Sequence, residues 1–220
     1  MNHLVIDLEM CNVPKHYRNR NYKYTSEIIQ VGAVLLDEEF EVIGTIKQYV
    51  HPQYGVIDPF ITNLTGIRSS QVKNAPRLNE ALIHLADWLG EREYDVYAWS
   101  TNDSNQLHRE ILNKKIEDPR IESFMNPARW IDYQAVFGKR FDFQRSVSLE
   151  EALMSCDIAI SGRLHDGLDD AANTAKLIRR LELNADVVLR NIVTEFPAES
   201  EPLGFSMGDL FAGINLDCIA

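Results

Sequence analysis

The chain has 220 residues, of which 45% are hydrophobic, enough for one large domain with a sizeable core. No apolar run approaches the roughly 20 residues of a membrane-spanning helix, and the N-terminus lacks the regions of a secretory signal peptide, so we expect a cytoplasmic protein. The net charge of -11 argues against a protein that coats nucleic acid through Lys and Arg, although it leaves open a metal site, where bound cations neutralise carboxylates.

The first predicted element is a strand over residues 3–10, along which apolar residues alternate with others. This alternation places Asp7 and Glu9 on one face of the strand. Two β-rich segments follow at residues 27–37 and 41–51, and the short turn between them predicts a hairpin. Because no helix intervenes, we expect the three strands to pair antiparallel.

Helices and strands are predicted to alternate along the rest of the chain. The predicted elements are a helix over residues 77–91, a buried strand over 95–100, a helix from the N-cap Asn102 to about residue 115, a short strand over 130–137, a helix over 149–157 that begins at a capping box of Ser148 and Glu151, and a helix that begins near Asp166. The pattern is that of an α/β protein.

Asp7 and Glu9 form the first candidate site. On a strand their Cα atoms lie roughly 6.6 Å apart, close enough for both carboxylates to reach one metal ion. Among apolar neighbours the two charges repel each other and lose hydration unless a cation lies between them. Two acids at this spacing are also common on the solvated face of a strand, so the pair alone does not define a metal site.

Asp103 follows the predicted strand at residues 95–100, at the start of a helix. Open α/β sheets collect functional groups beyond the carboxyl ends of their strands. The helix dipole also favours an acid in the first turn, so an acid such as Asp103, taken alone, is more often structural.

Residues 165–170, with the sequence HDGLDD, are the most informative segment. If a helix begins near Asp166, Asp169 shares its face with polar residues and points to solvent. Asp170 shares its face with apolar residues, where a bare carboxylate is costly without a cation or hydrogen-bond donors. A neutral His165 at the start of this helix could accept a proton from an attacking water. A lone histidine more often fills a surface or core position, and its fixed offset from Asp170 is what favours a functional role.

Several segments together resemble the DEDDh exonucleases of the DnaQ-like group, and within it the Eri-like and KapD-like branch. They span about residues 3–182 in the order of that family. The segments are VIDLEM at the N-terminus, SEIIQVGAVLLD, the LTGI of residues 64–67, WSTND ending at Asp103, and HDGLDDAANTAKL from His165. Each motif is weak alone, and the combination is specific.

This resemblance implies an RNase H-like fold, with a mixed sheet of three antiparallel strands first and helices on both sides. It implies a 3′-to-5′ exonuclease in which Asp7, Glu9, Asp103 and Asp170 hold two Mg²⁺ or Mn²⁺ ions and His165 is the general base. The expected products are nucleoside 5′-monophosphates, released from single-stranded nucleic acid.

The resemblance also implies three substrate-binding residues. Met10 and Leu64 are expected near the 3′-terminal nucleotide, and Trp99 is expected as a wall of the site. The Eri-like pattern favours RNA over DNA, although no residue in the sequence identifies a contact to the 2′-hydroxyl.

The sequence leaves two alternatives open. The chain could be a catalytically retired module that binds nucleic acid or regulates on the same fold, or it could hydrolyse a small phosphodiester or a very short oligonucleotide. A loop over residues 11–26, in which basic residues alternate with tyrosines, favours a longer strand if it contacts substrate. An ordinary solvated loop explains it equally well.

We expect an exonuclease domain over residues 1–196 and a C-terminal appendage over residues 197–220, where helical periodicity is lost. The appendage carries many apolar residues for a chain end. It could pack on the domain or form a homodimer contact.

Overall fold

A five-stranded mixed sheet forms the centre of the computed structural model, which describes residues 1–18 and 24–190. The strand order is β3-β2-β1-β4-β5. The outer pairs β3-β2 and β2-β1 are antiparallel, whereas β4 runs parallel to both β1 and β5. The strands are β1 (Asn2–Asn12), β2 (Ser26–Leu36), β3 (Val42–Tyr49), β4 (Tyr94–Ala98) and β5 (Trp130–Asp132).

Eight α-helices lie in the described part of the chain. They are α1 (Pro59–Thr65), α2 (Ser69–Val72), α3 (Leu78–Leu89), α4 (Thr101–Lys114), α5 (Pro119–Phe124), α6 (Tyr133–Arg140), α7 (Leu149–Ser155) and α8 (Gly167–Glu182). The predicted α/β class and the antiparallel start of the sheet are therefore confirmed. No helix among these is long and apolar enough to span a bilayer.

The alternation of β1 divides the core into two layers. Leu4, Ile6 and Leu8 pack in one layer with the apolar faces of α3 and α5. Val5 packs in the other layer with α7 and α8. Because Asp7 and Glu9 follow Val5 on its face, the strand directs both acids toward the side of the sheet that α8 covers.

The start of α8 lies directly against β2. Gly32 faces Gly167, and a Cβ atom on Gly32 would overlap the backbone of Gly167 and Leu168. Gly32 pairs with Asp7 across the sheet. The absence of a side chain at position 32 thus lets the first turn of α8 reach the strand that carries the acids.

Several predicted boundaries differ from the structure by a few residues, and at two of them a capping side chain explains the difference. The N-cap of α4 is Ser100, whose hydroxyl accepts a hydrogen bond from the backbone N–H of Asn102, so Asn102 lies inside the helix. The predicted strand at residues 130–137 ends at Asp132, because the Asp132 side chain caps α6 by accepting from Ala135 N at 3.0 Å. The capping box of Ser148 and Glu151 is confirmed.

The predicted appendage at residues 197–220 and part of the predicted basic loop lie outside the described residues. Within the loop, the structure describes a 3-10 turn at Lys15–Tyr17 after the end of β1. The domain boundary at residue 196 and the homodimer contact both stay predictions.

Candidate active site

Asp7 lies at the middle of β1, and Glu9 lies two residues closer to the carboxyl end of the strand. Asp7 is partly exposed, whereas Glu9 is 8% exposed. A β-bulge between Glu9 and Met10 shifts the pairing of β1 with β2 directly after the second acid. The alternation that places Asp7 and Glu9 on one face therefore holds up to this point and changes beyond it.

Asp103 reaches β1 from the first turn of α4. Its carboxylate is buried, and Oδ1 accepts a hydrogen bond from the backbone N–H of Leu8 at 3.2 Å. Leu8 stands between Asp7 and Glu9 in the sequence. The hydrogen bond therefore holds Asp103 beside the strand that carries the other two acids.

The first turn of α8 is fixed by three polar contacts. Asp166 caps the helix by accepting from the N–H groups of the next turn, and it forms an ion pair with Lys47 of β3. The backbone N–H of Gly167 donates to Oε1 of Gln30 at 2.6 Å. Gln30 lies opposite Glu9 on β2, so the start of α8 is aligned with the acidic end of β1.

His165 and Asp170 are joined through the backbone. The N–H of His165 donates to Oδ2 of Asp170 at 2.8 Å, and His165 has a φ of 61°, in the left-handed region. This conformation is uncommon for a residue with a side chain. The hydrogen bond to Asp170 stabilises this backbone conformation, and His165 is exposed.

Glu9, His165 and Asp170 form a group that could hold a metal ion. Each offers one ligand atom, and these atoms lie within 4.8 Å of one another. Asp170 is 8% exposed, and its Oδ1 has no hydrogen-bond partner among residues 1–18 and 24–190. A buried, unpartnered carboxylate oxygen is costly unless a cation or donor meets it. The donor set therefore fits a hard divalent cation, which prefers oxygen ligands.

Burial is the main reason why charge is disfavoured on all four carboxyl groups. Burial, followed by the charges of Asp103 and Glu9, raises the pKa of Asp7 well above its usual range. Burial together with Asp170 and Asp103 raises the pKa of Glu9 to about 8, and burial raises the pKa of Asp103 to about 7. The pKa of Asp170 is also raised, mainly by burial. Such a cluster ionises fully only beside a compensating positive charge.

The three predicted substrate-binding residues lie at the ends of β1, α1 and β4. Met10 is partly buried against the first core layer. Leu64 is partly exposed near the end of α1. Trp99 is 9% exposed and packs on Phe137, with ring centroids 5.9 Å apart. Their roles toward a substrate stay predictions.

The sequence reasoning missed residues that orient the acids. Asp169 was predicted to face solvent, but it is partly buried and its Oδ2 accepts from the backbone N–H of Arg163 at 2.8 Å. Gln30 and Lys47 contact the start of α8 from strands far away in the chain. The SEIIQ segment belongs to one of the family motifs, yet nothing in its local pattern indicates the contact that Gln30 makes.

The sheet order, with paired acids on the central strand and further acids at the starts of two helices, defines an RNase H-like α/β fold of the exonuclease type. The chain belongs to the exonuclease family, since the RNase T model of that family matches residues 4–178.

Two curated relatives illustrate the similarity. ERI1 exoribonuclease 2 of Xenopus laevis is 32% identical over 181 residues, covering 71% of this chain and 26% of that protein. The human 3'-5' exoribonuclease 1 is 29% identical over 169 residues, covering 72% of this chain and 47% of that protein. This chain thus matches about half or less of the length of these relatives.

Solved structures share the fold. The nuclease domain of 3'hExo, a DEDDh family member bound to rAMP, gives a TM-score of 0.71 at 26% identity and covers 86% of this chain and 94% of that one. E. coli Exonuclease I in complex with a dT13 oligonucleotide gives a TM-score of 0.62 at 18% identity, covering 82% of this chain and 41% of that one. The second likeness concerns the fold alone.

Proposed function

We propose that this chain is a divalent-metal-dependent 3′-to-5′ exonuclease that shortens single-stranded RNA and releases nucleoside 5′-monophosphates. The observation that carries the proposal is the cluster of carboxyl groups with raised pKa values around the unpartnered Oδ1 of Asp170, next to an exposed His165. A structural cluster of this kind would be destabilising, whereas a metal site uses it.

In this proposal Asp7, Glu9, Asp103 and Asp170 hold two Mg²⁺ or Mn²⁺ ions. When bound, such ions activate the attacking water and stabilise the leaving 3′ oxygen of an in-line displacement. The chain contributes fixed ligand directions, because Asp103 is anchored on Leu8 and Asp170 on His165. These anchors keep the carboxylates oriented before substrate arrives.

His165 is the proposed general base. Its exposed ring can meet the attacking water from the solvent side, and its backbone N–H is held by a carboxylate proposed as a metal ligand. A base must lie within hydrogen-bond reach of the proton it accepts. The shared anchor on Asp170 sets the position of the ring relative to the proposed ions.

RNA is the proposed substrate, and the names of the relatives support this preference. Two of them are named exoribonucleases, and the 3'hExo nuclease domain is bound to rAMP. Met10, Leu64 and Trp99 are proposed to contact the 3′-terminal nucleotide. DNA of matched sequence is the comparison substrate.

The test is digestion of 5′-labelled single-stranded RNA and DNA of matched sequence with Mg²⁺, with Mn²⁺ and with EDTA. We expect a metal-dependent ladder that shortens from the 3′ end and is faster on RNA. Asp7→Asn should abolish the ladder, whereas the exposed control Asp186→Asn should leave it unchanged. Binding of the strand without shortening under any condition would instead support a retired binding module.

A dinucleotide substrate separates the remaining alternative. If the chain hydrolyses dinucleotides much faster than a longer strand, the substrate is a very short oligonucleotide and the proposed strand-shortening role is wrong. Comparable or faster turnover of the longer strand supports the proposal.

A further inference from the structure

Arg163 joins the loop before α8 to the end of α1. Its guanidinium Nη2 donates to the backbone carbonyl of Asn63 at 2.7 Å and to that of Leu64 at 3.3 Å. The guanidinium also lies against Gly66, where a Cβ atom would overlap Nη1. Gly66 is the left-handed C-cap of α1, so the cation sits at the negative end of that helix.

The backbone of the same residue is tied to α8. The N–H of Arg163 donates to Oδ2 of Asp169 at 2.8 Å, and two residues later the N–H of His165 donates to Oδ2 of Asp170. Gly162, with a φ of 74°, lets the chain turn closely around Asp169. The loop that carries His165 is therefore held on α8 by its backbone and on α1 by one side chain.

We propose that Arg163 is a positioning residue, which fixes the loop of His165 relative to the helix end that carries Leu64. The inference rests on the proposed function, in which Leu64 contacts the 3′-terminal nucleotide and His165 acts as the base. Arg163 then sets the distance between the group that holds the terminal nucleotide and the group that accepts the proton.

Two features separate this role from general packing. Arg163 is exposed, so its side chain contributes little to the core. Its two acceptors are neighbouring carbonyls, and both bonds come from Nη2 at the far end of a planar guanidinium, whose reach and direction the flexible ammonium of lysine does not reproduce. A competing explanation is electrostatic, because the charge of Arg163 also lowers the pKa of Glu9.

The experiment compares Arg163→Lys, which keeps the charge but replaces the planar guanidinium that reaches both carbonyls, with Arg163→Gln, which loses the charge. Arg140→Lys is the matched control, because Arg140 donates in the same manner to the carbonyls of Leu181, Asn184 and Ala185 at the far end of α8. On labelled single-stranded RNA we expect both Arg163 variants to lose roughly 10- to 100-fold in kcat, and Arg163→Lys to keep the Mg²⁺ dependence of the wild type. The control should keep the wild-type kcat.

A double-mutant cycle with Leu64→Ala measures the coupling between the two positions in kcat/KM. A merely structural role of Arg163 would not produce such coupling. If Arg163 acts through Leu64, the loss in kcat/KM of Arg163→Lys should be much smaller in the Leu64→Ala background than in the wild type. Multiplicative, independent losses would overturn the inference. Normal activity of Arg163→Lys combined with an impaired Arg163→Gln that needs more Mg²⁺ would overturn it in favour of the electrostatic explanation.

Hydrogen exchange supplies a measurement that does not depend on turnover. We expect Arg163→Gln to speed amide exchange both around His165 and at the end of α1, while Arg140→Gln leaves both segments unchanged. Unchanged exchange at α1 would overturn the inference. An inactive wild type whose exchange responds as expected would refute the proposed function but keep the link between the two segments.

Discussion

The backbone N–H of Leu8 donates a hydrogen bond to Oδ1 of Asp103 across 95 positions of sequence. Asp103→Asn keeps an oxygen acceptor for this N–H and removes the charge. We therefore expect the free energy of unfolding to stay within about 1 kcal/mol of the wild type or to rise, since a buried charge is lost.

The same variant should lose exonuclease activity by on the order of 100-fold or more, because a proposed metal ligand is removed. Kinetic assays on labelled RNA measure the loss of activity, and urea unfolding measures the free energy of unfolding. Asp118→Asn is the control, since Asp118 also accepts a backbone N–H, from Arg120, at a helix start away from the site. Nearly normal turnover of Asp103→Asn would contradict the ligand assignment.

The stability of the metal-free protein should fall as pH rises. The pKa values of Glu9 and Asp103 are raised to about 8 and about 7 in the folded chain, so the folded state binds protons more tightly than the unfolded one. The resulting stabilisation is complete below the ordinary carboxyl pKa of about 4 and is lost as pH rises through the folded values.

Thermal unfolding in EDTA between pH 5 and pH 8.5 measures this trend, within roughly the range where these groups titrate. We expect Tm to decrease over this range, and added Mg²⁺ to raise Tm most at the upper end. In the double variant Glu9→Gln, Asp103→Asn, the Tm in EDTA should change much less with pH. A Tm that rises steadily with pH in EDTA would show that other groups dominate.

His165→Asn tests the proposed base with little disturbance of the backbone, since asparagine tolerates the left-handed conformation that His165 adopts. We expect turnover to fall by about 10²- to 10⁴-fold, while folding and metal-dependent binding of substrate persist. Single-turnover digestion and fluorescence anisotropy separate the two effects. The control His84→Asn, on the exposed side of α3, should behave as the wild type.

Gly32→Ala should displace the first turn of α8, because the new Cβ atom would overlap backbone atoms of Gly167 and Leu168. The expected cost is about 1–3 kcal/mol in the free energy of unfolding, with a loss of activity as Asp170 moves. Gly138→Ala is the matched control, since a Cβ atom there meets nothing within 4 Å. Equal stability of the two variants would mean that the helix start adapts freely.

Local patterns in the sequence predict the parts of the site that depend on local structure. The alternation of residues 3–10 is enough to place Asp7 and Glu9 on one face of β1. The helical spacing of Asp170 with apolar residues likewise predicts that its carboxylate is buried. Both predictions rest on periodicities of strands and helices, which are properties of short segments.

Contacts between distant segments could not be predicted in this way. Gln30 and Gly167 are separated by 137 residues, and Arg163 and Asn63 by 100. The short helix α1 does have a local signal in the sequence. Asp58 is its N-cap, and Pro59 is its first residue, which is a favoured position for proline. The misplaced N-cap at Asn102 has another cause, since Ser100 and Asn102 are both good capping residues and the backbone decides between them.

The docking of α8 on Gly32 also concerns the order in which the chain is synthesised. Asp7, Glu9 and Asp103 emerge from the ribosome long before Asp170, and the structure anchors His165 on that last acid. We expect a nascent chain that ends before Gly167 to contain all five strands of the sheet but to hydrolyse nothing. A nuclease assembled in this order would remain inert until α8 has been synthesised and has docked on β2.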